Sequence, residues 1–199
     1  MVRIQIIFFA AAAVLALAAA GLVFYASSRL GSGGDDAAAI SDIGGPFELI
    51  DQTGHRRTDQ DFRGRYMLLY FGYTYCPDVC PTTLQSMADA LAKLGMKADR
   101  IVPVFITLDP ERDTPDVLRK YLHAFGSDFV GLTGTLPAIT NAAHAYRVFF
   151  AKHPVAGGEY SVDHSSMIYL VGPDGKLVTF YDAGTGSTDL ATQLATHIS

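Results

Sequence analysis

The 199 residues suffice for one ordinary domain and an extension. All 20 acidic residues lie after residue 34 with 13 of the 15 basic ones, so that part carries a formal charge of −7; an acidic domain without a basic run argues against nucleic acid as a partner. About 150 residues close a core unaided, so neither of the two cysteines is needed as a structural staple.

Residues 1–26 read as an N-terminal transmembrane anchor. No charge interrupts Ile4 to Ala26, and these 23 residues are bracketed by Arg3 and Arg29. As a helix the run covers about 34 Å, enough to cross a bilayer's hydrocarbon core. Tyr25 sits near one end, where an interfacial aromatic is expected. A cleavable secretory signal is the alternative, since "ALAAAG" offers small residues, but the run is longer than the ~7–15 apolar residues of such signals. Either reading puts the rest of the chain outside the cytoplasm. Residues 27–46, rich in Gly, Ser, Ala and Asp, read as a flexible linker with a reach of roughly 25 Å. The soluble domain spans residues 47–199.

Within it, "FELIDQTGHRRT" reads as a small hairpin around a Gly-containing turn. The apolar run from Tyr66 to Phe71 suits a strand covered on both faces, as in a parallel sheet. A helix follows, with Pro81 at its first position, Cys80 at the N-cap and Gly95 as its close. "IVPVFITL" (101–108) is a second apolar strand, in which Pro103 suggests an edge or an end of pairing. Thr114 caps a helix that starts at Pro115 and ends by Gly126. A short strand near Phe129–Leu132, a helix near Pro137–Arg147, further strands through "LVTFYD" and a last helix near Ser187–His197 complete the chain. This alternation describes an α/β sandwich. A cysteine pair where strand meets helix resembles the thioredoxin-like class, here with an added N-terminal β-hairpin.

The chemistry concentrates in "YFGYTYCPDVCP" (70–81), which holds both cysteines, Cys76 and Cys80. At a helix N-terminus, unpaired N–H groups and the helix dipole stabilise a thiolate, here expected at Cys80. Cys76, four positions earlier, is brought to the same point by one turn. Two converging soft thiolates favour Cu(I) or zinc, and zinc's structural sites want four ligands. No second cysteine pair or His-x-x-x-His motif supplies them. Cu(I) accepts fewer ligands, so one histidine completes a site. His55, His123, His144, His153 and His197 read as surface or satisfied histidines. His164 differs. It lies in "SVDHSSM", in the loop that faces the cysteines of a thioredoxin-like domain; Asp163 beside it is a candidate to orient or anchor that loop, or equally to form a turn. Asp109, Glu111 and Asp113 in "LDPERD" suit turn and cap roles better than a hard-metal site. Asp78 is expected to tune the thiolates, and Tyr73 and Tyr75 to wall the site or pack.

"YFGYTYCPDVCP", "FITLDPERDTPDVLRKY" and "VDHSSMIYLVGPDGK" together resemble the SCO/SenC family of cytochrome c oxidase assembly proteins. The resemblance implies that Cys76, Cys80 and His164 bind copper, as Cu(I), Cu(II) or both. It also implies the binuclear copper site of cytochrome c oxidase subunit II as the receiver, and another copper chaperone as a possible donor. The implied location is the inner membrane, single-pass, with the domain on the periplasmic side. A thiol–disulfide oxidoreductase that keeps the receiver's cysteines reduced through Cys76 and Cys80, or a redox sensor, remains open. A thiol peroxidase fits less well, since it needs one strongly activated cysteine in a polar pocket.

Overall fold

The computed structural model describes residues 20–22, 25, 43–126, 128–155 and 157–198. The membrane anchor expected over 1–26 lies almost wholly outside them, as does the linker through residue 42. Among the described residues no helix is long and apolar enough to cross a membrane. A compact unit begins at Ile43.

Among its described residues this unit has nine strands and four α-helices. The expected hairpin is present: β1 (Glu48–Asp51) pairs antiparallel with β2 (Arg56–Thr58). The apolar run becomes β3 (Tyr66–Gly72), all but its first residue buried, and it leads through the cysteine loop into α1 (Val79–Leu94). Then come β4 (Ile101–Thr107), α2 (Pro115–Leu122), β5 (Val130–Thr133) and α3 (Leu136–Ala145). β6 (Phe150–Pro154) and β7 (Tyr160–His164) form a hairpin, followed by β8 (Met167–Val171), β9 (Leu177–Asp182) and α4 (Ser187–His197).

The main sheet has seven strands in the order β2-β1-β5-β4-β3-β8-β9. β3, β4 and β5 run parallel, and β8 returns antiparallel beside β3. Burial on both faces explains the uninterrupted apolar runs of β3 and β4. β4 is an inner strand, so Pro103 does not mark an edge. It marks an end of pairing on one side only: Pro103 stands opposite Leu68 of β3, while the ladder to β5 begins one residue later, at Val104. Thr114 and Thr135 cap α2 and α3 through their hydroxyls, each followed within two positions by a proline. α1 packs against α4, and α2 against β5.

β6 and β7 stand apart. Their ladder bonds go to each other and form a separate two-stranded sheet. The main sheet does not fix this hairpin, so its position depends on side chains.

Candidate metal centre

The cysteines sit where β3 ends and α1 begins. The helix starts at Val79 with Asp78 as its N-cap, so Cys80 and Pro81 occupy its second and third positions. Cys80 was expected at the cap; the loop reaches helical geometry two residues sooner. The change moves the electrostatic benefit from one sulfur to the other. Cys80 donates its backbone N–H to Cys76 Sγ at 3.4 Å, using a donor that has no partner inside the helix.

Cys76 is half-buried, whereas Cys80 is fully buried, and both are free thiols. The Cys80 thiol and the backbone N–H groups of Cys80 and Asp78 pull the Cys76 thiol down to about 3, against the opposing effect of burial. The Cys80 thiol is pushed up by its Cys76 neighbour and by burial. The pair therefore holds one thiolate and one thiol. Asp78 acts on Cys76 through its backbone N–H. The Tyr70 hydroxyl lies 3.8 Å from Cys80 Sγ.

His164 ends β7 and brings Nε2 to 3.5 Å from Cys80 Sγ. Its Nδ1 is 3.0 Å from the Ser165 carbonyl oxygen. A carbonyl only accepts, so that bond places the imidazole proton on Nδ1 and turns the Nε2 lone pair toward the sulfur. Tyr70 and Tyr73 meet the imidazole edge-on, at 6.2 and 6.1 Å between ring centroids. Asp163 does not orient the imidazole: it points outward and pairs with His153 Nε2 at 3.1 Å. Successive side chains on a strand face opposite ways, so the residue beside His164 turns from the site. His55, His123, His144, His153 and His197 are all exposed. Among the described residues no group of three or more His, Cys, Asp or Glu is assembled as a ready cage for a metal ion. Cys76, Cys80 and His164 are gathered as neighbours rather than drawn tight around one point.

Further residues frame the centre from both sides, Asp113 unforeseen in that role and Tyr73 as expected of a wall. Asp113, fully buried, accepts from the Thr74 N–H at 3.0 Å and from the hydroxyls of Thr74 and Thr107 at 2.5 and 2.6 Å. It thereby holds the chain two residues before Cys76. Tyr73 receives the backbone N–H of Val162 on β7. Tyr75 does not wall the sulfurs but lies against Arg112, whose guanidinium carbon is 4.5 Å from its ring centroid. These links join positions far apart in sequence and leave no local spacing signal.

With this geometry in view, comparison with known proteins is specific. Residues 35–199 match the SCO1/SenC family profile. The chain belongs to the SCO1/SenC family. The human mitochondrial SCO1 homolog is 41 % identical over 160 residues, which are 78 % of this chain and 53 % of the human protein. The chain thus spans about half of that relative's length. A crystal structure of Arabidopsis thaliana ScoI with copper bound superposes with a TM-score of 0.75 at 39 % identity, covering 78 % of this chain and 98 % of that one. BsSco, described as a member of the Sco family of cytochrome c oxidase assembly proteins with a disulfide switch, aligns with a TM-score of 0.63 at 26 % identity over 79 % of this chain and 95 % of its own. The thioredoxin-like α/β fold expected from the sequence is the fold of these SCO1/SenC relatives.

Proposed function

We propose that this SCO1/SenC protein binds copper through Cys76, Cys80 and His164 and delivers it to the binuclear copper site of cytochrome c oxidase subunit II. In this reading residues 1–26 tether it to the inner membrane, with the domain on the periplasmic side, and another copper chaperone supplies the metal.

The observation that carries the reading is the approach of His164 Nε2 to Cys80 Sγ at 3.5 Å, beside a sulfur held as thiolate. A first-row metal bonded to one sulfur at about 2.3 Å and one imidazole nitrogen at about 2.0 Å, at a tetrahedral angle, separates them by about 3.5 Å. Two soft thiolates and one imidazole suit copper, which the Arabidopsis relative holds in its crystal. Three donors leave the metal open to an incoming thiolate, so it passes on by ligand exchange while the partner's sulfurs replace these.

A second reading is supported by the two free cysteines, one half-exposed and one buried, and by the disulfide switch attributed to BsSco. In it the Cys76 thiolate attacks the receiver's disulfide, releasing one of its sulfurs, and Cys80 then closes the Cys76–Cys80 disulfide and releases the other. The pair gives up two electrons and the one Cys80 proton, solvent supplies the second proton, and His164 is secondary. His164→Ala separates the two. Copper content of the purified domain and oxidase assembly should both fall sharply. Assembly that survives His164→Ala but fails with Cys76→Ser would decide for the reductase.

A further inference from the structure

The hairpin that carries His164 lacks ladder bonds to the main sheet, yet the imidazole sits 3.5 Å from Cys80 Sγ. Something else must hold it. The loop after β4 supplies that hold through Asp109, which is fully buried. Asp109 accepts the Tyr160 hydroxyl of β7 at 2.7 Å and forms an ion pair with Arg112, and Lys152 of β6 stands 3.9 Å away. Arg112 donates to the Tyr160 carbonyl at 3.1 Å and stacks on the Tyr160 ring with its guanidinium carbon 3.7 Å from the centroid. It also lies against Tyr75, adjacent to Cys76, and Glu159 stands 3.8 Å away. One buried carboxylate and one planar cation thus touch both strands of the hairpin and the cysteine loop together.

We infer that Asp109, Arg112 and Tyr160 form a latch that sets His164 over the cysteines, and that they are positioning residues of the metal centre. This inference rests on the reading of His164 as a ligand. The physical case is that of any outer partner of a ligand: a buried carboxylate takes the hydroxyl of a rigid ring, and a flat cation covers that ring's face. The hairpin is thereby fixed at β7's first residue, four positions before His164. At the other end the Ser165 N–H, bonded to the Phe149 carbonyl at 3.0 Å, adds one rung to the hairpin's own ladder beside His164. Releasing the Tyr160 point frees the tip of the hairpin, and His164 at its base is then held through buried Val162 and the chain running into β8.

The test uses Tyr160→Phe, which removes the hydroxyl and keeps the ring, and Arg112→Lys, which keeps the charge and removes the plane. His153→Asn, on the same hairpin but outside the latch, is the control. Amide hydrogen exchange of residues 150–164 is followed in the metal-free protein, and Cu(I) affinity is measured by competition with a chromogenic chelator. Both latch variants should speed hairpin exchange and weaken Cu(I) binding about tenfold, while the control does neither. In a His164→Ala background the same substitutions should cost no further affinity. The latch is refuted if exchange is unchanged in both variants, or if their loss of Cu(I) affinity persists in full without His164. A different result, His164→Ala binding Cu(I) as the wild type does, overturns the ligand reading itself. Circular dichroism and a melting curve on each variant separate these outcomes from global unfolding.

Discussion

Two cysteines four positions apart have been given opposite environments. Cys76 lies half-open in the loop before α1 and takes backbone N–H groups, whereas Cys80 is sealed in the helix's first turn against Tyr70. Reagents should therefore find one sulfur and not the other. At pH 6, iodoacetamide should modify Cys76 and leave Cys80 untouched, as read by peptide mass spectrometry. The sign follows from the shifts: Cys76, lowered to about 3, is thiolate at that pH, and Cys80, raised, is thiol. Equal labelling of both would refute the assignment. The three central residue types were legible in the sequence because thiols at a strand–helix junction and a histidine in the facing loop are chemically uncommon. Which thiol gains from the helix was not legible. That depends on Asp78, whose φ of −144° and ψ of −65° start the helix two residues before Pro81 suggests.

At the scale of elements, the centre depends on a close approach between the end of β3 and the first turn of α1. A Cβ added at Gly72 would lie 2.8 Å from Cys80 Sγ and 3.0 Å from the Phe105 ring. Gly72→Ala should therefore displace Cys80, cost about 1–3 kcal/mol of stability and weaken copper retention. Urea unfolding and metal analysis of the same preparation check both, and a variant indistinguishable from wild type would show that the junction has slack. Most elements could be placed from the sequence, since caps such as Thr114–Pro115 and the apolar run of β3 are local signals. The β6–β7 hairpin could be anticipated as strands but not as a separate sheet. Its anchors, such as Asp109 to Tyr160 across 51 residues, pair side chains whose meeting only the completed fold dictates. The same limit explains why "LDPERD" reads as turn and cap. The turn is closed by the Asp109 backbone carbonyl, and the carboxylates instead hold side chains and a backbone N–H elsewhere, Tyr160, Lys152 and Thr74 among them.

For the whole molecule, acid should be the condition that loosens the domain from its N-terminal hairpin. Burial works to raise the Asp51 carboxyl, but hydrogen bonds from Thr53 and Arg57 and from the backbone of His55 and Thr53 outweigh it and hold the group well below the usual carboxylate range. A depressed carboxyl contributes stability that is complete above the unfolded value, about 3.9, and is lost as pH falls toward the folded one. Asp51→Asn should cost about 2 kcal/mol at pH 7, and its gap to wild type should narrow as pH drops below about 4. Denaturant curves at several pH values decide this, and a constant gap would contradict it. The order in which the chain is made has its own consequence. Cys80 and His164 are separated by 84 residues, and the strand after His164, β8, must cross back to pair with β3. A chain synthesised from its N-terminus exposes both sulfurs before the imidazole exists, and such long-range pairing is slow. The centre is thus among the last parts of the domain to form. A nascent chain that has not yet docked β8 meets oxidants and metals with two bare thiols and no third corner.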